Sequence, residues 1–274
     1  MDLITTKIIF ISLFIIIIHS IETLAYAVRL SGSRVKLIAS GLSLFSMMVI
    51  FSRMANMMQQ PFTGSIVDTA PEENILQYVE DQYRVLIGAS TVGTIIGILL
   101  LPTFVAIFSR AIVHLANERG SIASVLKIGL SREYFRRGMK HLRLPRLSYI
   151  KDINFKDVPK RLFIFNMFVT AIYTIGVLSA LYASLLEPER YGSAIMASGL
   201  INGVATILLS MFIDPKISVL ADDVANGRGN YSTLKGISIL MISSRLIGTL
   251  IAQLLFIPGA HYIAWATKFL VMFE

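Results

Sequence analysis

The run IIFISLFIIII, from Ile8 to Ile18, leaves this chain few ways to fold. About 20 mostly apolar residues suffice to cross a bilayer as a helix. Lipid offers no partner to backbone N–H and C=O groups, so such a stretch must bond internally. Five further stretches qualify, giving six predicted spans: Ile8–Val28, Val35–Met58, Val85–Val113, Leu162–Leu186, Ala194–Ile213 and Ile237–Ile257. Of the 274 residues 55% are apolar and only 15% charged, a balance that soluble domains rarely show. The first stretch is read as a span, because its apolar region is long and no small-x-small cleavage site follows it cleanly. The predicted fold class is an all-α integral membrane protein of six transmembrane helices.

Charge gives the orientation. From Arg119 to Arg161 the chain holds twelve Lys/Arg against Glu133, Asp152 and Asp157, which predicts a cytoplasmic segment. The stretch from Thr63 to Gln82 carries Asp68, Glu72, Glu73, Glu80 and Asp81 without Lys or Arg, which predicts an outside loop. Arg29, Arg34 and Lys36 put the first short loop inside. Glu187 and Glu189 put the fourth outside, and Lys216, Arg228 and Lys235 put the fifth inside. Six spans with both termini extracytoplasmic satisfy every loop. The net charge of +8 is therefore read as orientation and affinity for anionic membrane lipids, with nucleic acid a poor alternative. REYFRRGMKHLRLPRLSYIK, within the central segment, interleaves aromatic and basic residues as a lipid-touching amphipathic element does, or as a surface for an acidic headgroup.

The two halves resemble each other. Ala39-Ser-Gly-Leu42 recurs as Ala197-Ser-Gly-Leu200, and GTIIGILLLP (Gly93–Pro102) recurs loosely as GTLIAQLLFIP (Gly248–Pro258). Phe14, His19, Ser20 and Leu24 match Phe168, Tyr173, Thr174 and Leu178, all at offsets of 154 to 158. Three spans per half make the second half enter the membrane inverted, as in many secondary transporters. The predicted organisation is a first half at 1–116, a basic cytoplasmic connector at 117–161 and a second half at 162–274. Pro102 and Pro258 fall at matching places. Paired helix breaks point to a site between the halves; the alternative is a kink in span three and a simple end to span six, with His261–Phe273 along the interface.

Polar residues recur at helical spacing. His19, Glu22, Tyr26 and Arg29 lie three or four apart and share one face of span one. Arg53, Asn56 and Gln60 repeat the pattern in span two, with Gln59 flanking. Asn166, Thr170 and Thr174 do so in span four, Ser198, Asn202, Ser210 and Asp214 in span five, and Arg245, Thr249 and Gln253 in span six. A charge at mid-bilayer costs about 2.5–3.5 kcal/mol on insertion scales. Arg53 and Arg245 therefore face protein or a wet cavity, with Glu22 as counter-ion, whereas Arg29 and Arg110 sit near helix ends where they could snorkel. One reading is a structural ion pair between Glu22 and Arg53. The other is a net-positive cavity for an anionic substrate, because a guanidinium fork suits phosphate. Glu22 and Asp214 are candidate ion-coupling carriers.

Other chemistries lack support. The chain has no cysteine, hence no disulfide, thiolate metal site or cysteine nucleophile. His19 and Glu22 could share a metal, but no further histidine lies at that predicted depth, so neither metal nor cofactor is expected. There is no Walker loop and no local Ser-His-Asp signature.

IETLAYAVRLSGSR (Ile21–Arg34), SRMANMMQQPFTGSIVD (Ser52–Asp68) and DDVANGRGN (Asp222–Asn230), with six spans, resemble the Amj-type lipid II flippases of bacteria, which can substitute for the MurJ flippase. The resemblance covers nearly the whole chain. It implies a multi-pass protein of the bacterial plasma membrane, not an enzyme, whose substrate is lipid II. That lipid is an undecaprenyl pyrophosphate carrying a disaccharide and a peptide, made on the cytoplasmic leaflet and used outside. Alternating access between the halves is the mechanism expected. The candidate substrate site is Arg53, Glu22, Arg245, Asn56, Arg29, His19, Gln60, Asn202 and Gln253. A homodimer is expected for so few spans, and cell-wall synthesis proteins are candidate partners. Two alternatives stay open. One is an enzyme acting on polyprenyl phosphates, although Asp68, Glu72 and Glu73 have no basic clamp beside them. The other is a non-transporting scaffold docked through the basic segment.

Overall fold

The computed structural model describes residues 5–121 and 160–270, with Pro145 between. The basic run from Arg132 to Lys151 and its proposed surface role lie outside the described residues, Pro145 aside. The helices are α1 (Thr6–Arg34), α2 (Ile38–Asp68), α3 (Ile75–Asn117), α4 (Lys160–Leu186), α5 (Tyr191–Leu208), α6 (Asp214–Ala225) and α7 (Tyr231–Leu270). A five-residue π-helical turn, Leu209–Ile213, joins α5 to α6, and the described residues from Pro188 to Ala225 act as one span. Among the described residues six helices are thus long and apolar enough to cross a membrane, as predicted.

The helices outrun the apolar runs that predict them. The stretch from Thr63 to Gln82 is not a loop: α2 continues through Pro61 to Asp68, and α3 begins at Ile75. Helix continues into the headgroup zone because its bonds are internal, while apolar composition must stop there. The simple end to span six is likewise overturned, since α7 passes through Pro258 and carries His261 and Trp265 within helix. Pro102 also lies inside α3.

α1–α3 and the helices α4, α5 and α7 pack alike. α1 lies along α2 and α3, and α4 lies along α5 and α7. The third helix of each half meets the first where glycine permits. A Cβ at Gly93 would stand 2.5 Å from the Ile16 carbonyl oxygen, and one at Gly248 would stand 2.6 Å from that of Met167. In membranes small residues of this kind let backbones approach. Cross-helix hydroxyls fix the register: Ser20 donates to Gly93 O at 2.9 Å and Ser179 to Phe256 O at 3.0 Å. The α1–α2 corner is closed by a Schellman pattern, Leu37 N–H to Gly32 O and Lys36 N–H to Ser33 O, with Lys36 at φ 59°. The main core joins both halves, with Tyr83 and Tyr182 packed on Phe256.

Candidate functional site

α1 and α4 turn their polar stripes toward one another across a cavity rather than packing together. Between them and α2, α5 and α7 lies a cleft of about 680 Å³, its open side included. Glu22, Tyr26 and Arg29 line it from α1, Phe45 and Arg53 from α2, Thr170 and Tyr173 from α4, and Thr206, Leu209, Asp214 and Arg245 from the second half.

Two ion pairs hold its walls. Arg245 Nη2 donates to Glu22 Oε2 at 2.5 Å, and the Ser52 hydroxyl donates to Glu22 Oε1 at 3.0 Å. The pair ties α1 to α7. Arg29 Nη2 donates to Asp214 Oδ1 at 2.5 Å. Its guanidinium carbon lies 4.1 Å from the centre of the Phe45 ring, and Arg29 is only 5% exposed. Arg29 therefore does not snorkel to the interface. Its side chain turns inward because the Asp214 carboxylate is within reach.

Arg53 differs. It is exposed on the cleft wall and makes no hydrogen bond or salt bridge to any described residue. The counter-ion of Glu22 is Arg245, not Arg53. Successive residues of a helix point about 100° apart, so Ser52 takes the inward position against Glu22 and Arg53 is carried round to the cleft. Three arginines against Glu22 and Asp214 leave this lining one positive charge in excess. Buried polar atoms without partners also gather here: Thr170 Oγ1, Arg245 Nε and Arg29 Nε. Buried groups of this kind are normally satisfied.

Further along α1 toward its N-terminus is a second pocket, about 450 Å³ with its open side. His19, Asn56, Gln59, Ser90, Tyr173 and Thr174 are its polar lining. Gln59 Nε2 donates to Asn56 Oδ1 at 3.1 Å, and the Thr63 hydroxyl donates to Gln59 Oε1 at 2.5 Å. Tyr173 lines both pockets.

Of the residues singled out from sequence, Glu22, Arg29, Arg53, Asp214 and Arg245 meet in the cleft, and His19 and Asn56 in the second pocket. Three do not join them. Gln60 lines neither pocket, because the helix turns its neighbour Gln59 inward instead. Gln253 clasps α3: its Nε2 donates to Arg84 O at 2.9 Å, and Arg84 Nη1 donates to Gln253 O at 3.0 Å. Asn202 packs against Gly176 of α4 and lines neither pocket. Tyr173, Ser52 and Thr206 were not candidates. Tyr173 carried a signal, since it matches His19 in the other half and lies three residues from Thr170.

α2 and α5 flank the cleft without packing on each other as the other neighbours do. Their outer faces are apolar and exposed, with Met54, Met57 and Met58 on α2 and Met196, Val204 and Ile207 on α5. These features define a polytopic helical membrane protein with an arginine-bearing cleft at membrane depth. More narrowly, the chain belongs to the Amj family: the family model described as "Alternate to MurJ" matches residues 14–267. It is 61% identical over 268 residues to "Lipid II flippase Amj" of Bacillus subtilis (strain 168), covering 98% of this chain and 99% of that one. No solved structure matches it.

Proposed function

We propose that this chain is a lipid II flippase, a transporter and not a catalyst, and that the cleft binds the pyrophosphate. The observation that carries the site is Arg53, a cation without a partner on the wall of a cavity at membrane depth. Such a charge is costly unless a ligand or water meets it. The lipid tail remains in the bilayer and passes between α2 and α5, while Arg53 forks onto a phosphate oxygen pair. Arg245 and Arg29 stay neutralised by Glu22 and Asp214 until the anion enters and competes for them. Glu22 and Asp214 are also the carboxylates on which ion coupling would act.

In this reading both termini lie outside. Lys7 donates to Ser65 O and the Thr69 hydroxyl beside the acidic α2–α3 turn, and Lys268 pairs with Glu187 beside the α4–α5 turn. Segments 1–116 and 162–274 then act as inverted halves joined by the connector 117–161. Rocking about their interface, which the Glu22–Arg245 pair spans, exposes the cleft to each leaflet in turn. A homodimer and cell-wall synthesis partners fit this reading.

The test is transbilayer movement of lipid II in cells depleted of their principal flippase, with membrane abundance checked. Wild type restores movement. Arg53→Ala reduces it about 10- to 100-fold at unchanged abundance, the worth of a hydrogen bond to a charged group. Normal movement with Arg53→Ala would refute the site. No movement with wild type would refute the function and favour a scaffold or a polyprenyl-phosphate enzyme.

A further inference from the structure

We infer that the second pocket is a separate subsite for the uncharged, hydroxyl-rich sugar that follows the pyrophosphate, with Tyr173 as the wall between the two. The inference rests on the flippase reading and deepens it. The two cavities share one side chain but differ in chemistry. The cleft holds five charged residues. The second pocket is lined by no Lys, Arg, Asp or Glu, and its polar groups are amides, hydroxyls and one imidazole. Such groups both donate and accept, as sugar hydroxyls require, and they offer nothing to neutralise a phosphate.

The pocket is built rather than incidental. Gln59 is oriented by Asn56 on one side and by Thr63 on the other. His19 is 5% exposed and its Nδ1 has no partner, so a ring nitrogen is left for a ligand. The Tyr173 ring offers an apolar face on which the C–H face of a pyranose can lie.

The order of the cavities matches the order of the lipid. The cleft lies beside α2 and α5, the helices most open to lipid. The second pocket is walled by α1, α2, α3 and α4 and takes no residue from α5. A lipid whose tail stays between α2 and α5 presents its pyrophosphate to the cleft first and its sugar to the pocket beyond. An anionic phospholipid offers the phosphate but no disaccharide for the second cavity, so the pocket would be the element that selects among lipid phosphates.

The experiment is equilibrium binding to the purified full chain in lipid nanodiscs. One probe is a short-chain polyprenyl pyrophosphate, the other the same pyrophosphate carrying the disaccharide. Wild type is expected to bind the sugar-bearing probe about tenfold or more tightly than the bare one. Gln59→Leu and Asn56→Leu are expected to remove most of that advantage while leaving affinity for the bare pyrophosphate unchanged, which also reports that each variant is folded. Arg53→Gln is expected to weaken both probes alike. If wild type binds both probes equally, or if the pocket variants keep the preference, the subsite is wrong and the flippase reading stands. If wild type binds neither probe, the flippase reading fails and the subsite falls with it.

Discussion

α1 and α4 differ sharply from α2 and the span that contains α5. In their most apolar windows, α1 and α4 are each 50% buried, against 17% for α2 and 6% for the α5 span. Both helices of the central pair carry glycine contacts and cross-helix hydroxyls, and α1 carries one partner of each cleft ion pair. The peripheral pair exposes its apolar faces; α2 reaches the cleft through Ser52 and Phe45, and α2 and α5 do not pack on each other. A lipid transporter needs this division, because a wall that must open to the bilayer cannot be locked by the packing that holds the rest. The five-residue π turn after α5 belongs to the same contrast. π turns interrupt the regular ladder and often mark functional positions, and here the turn sits where the loosely packed α5 meets α6. α6 is pinned by Arg29 to Asp214 and by the Ser33 hydroxyl to Ala221 O at 2.8 Å.

The contrast is most exposed to attack at Glu22. Glu22→Ala leaves the Arg245 guanidinium buried, 6% exposed, without its counter-ion. Removing one partner of a buried pair costs about 3–5 kcal/mol. Thermal unfolding in detergent should show that loss, and the double variant Glu22→Gln with Arg245→Gln should recover much of it. Recovery to wild-type stability alongside undiminished flipping would make the pair packing glue and nothing more.

The central crossings come next. Gly248→Ala drives a Cβ to within 2.6 Å of the Met167 carbonyl, a backbone atom that cannot rotate away. Overpacking of this kind costs about 1–3 kcal/mol. Gly93→Ala should behave alike, since the Ile16 carbonyl stands at 2.5 Å. Equal stability of these variants and wild type would mean that the α1–α3 and α4–α7 crossings are not packed as closely as the structure has them.

Glycines of the peripheral wall should respond in the opposite direction. A Cβ at Gly199 or Gly203 of α5 meets nothing within 4 Å. Alanine in a helix avoids the entropy that glycine loses, so either substitution should stabilise by about 0.5–1 kcal/mol. If α5 must flex to pass the lipid, the same variants should slow flipping at higher stability. Unchanged flipping would mean that α5 moves as a rigid rod.

The sequence made much of this arrangement readable and hid the rest for physical reasons. Six spans follow from apolar length, and the stripe His19, Glu22, Tyr26, Arg29 follows from helical spacing, because both depend on one helix at a time. Which carboxylate meets which arginine depends on the rotation of several helices together, so the spacing leaves Glu22 open to either Arg53 or Arg245, and the fold gives it Arg245. Gln59 and Gln60 are adjacent and chemically identical, and only the rotation of α2 makes Gln59 the inward one. Gln253 shares a face with Arg245, yet it lies two turns further along α7, where α3 is the neighbour. The helices extend beyond the apolar runs because composition changes at the lipid boundary and the helix does not.

The smallest effect expected is at the turn that ties α4 to α5. Glu187 accepts from Lys268 Nζ at 2.7 Å and from Arg190 Nη1 at 3.2 Å. The hydrogen bond to Lys268, more than anything else there, holds its carboxyl below the ordinary carboxylate value. A depressed folded pKa adds stability that is present above the unfolded value and is lost as the pH falls through the folded one. Lys268→Gln should therefore melt slightly below wild type at neutral pH, and the gap should close in acid as Glu187 is protonated in both proteins. The group is open to solvent, so salt should shrink the gap as well. A gap that persists in acid and in salt would assign it to the packing of the lysine stem on the end of α7. The α4–α5 turn would then be held by contact rather than by charge.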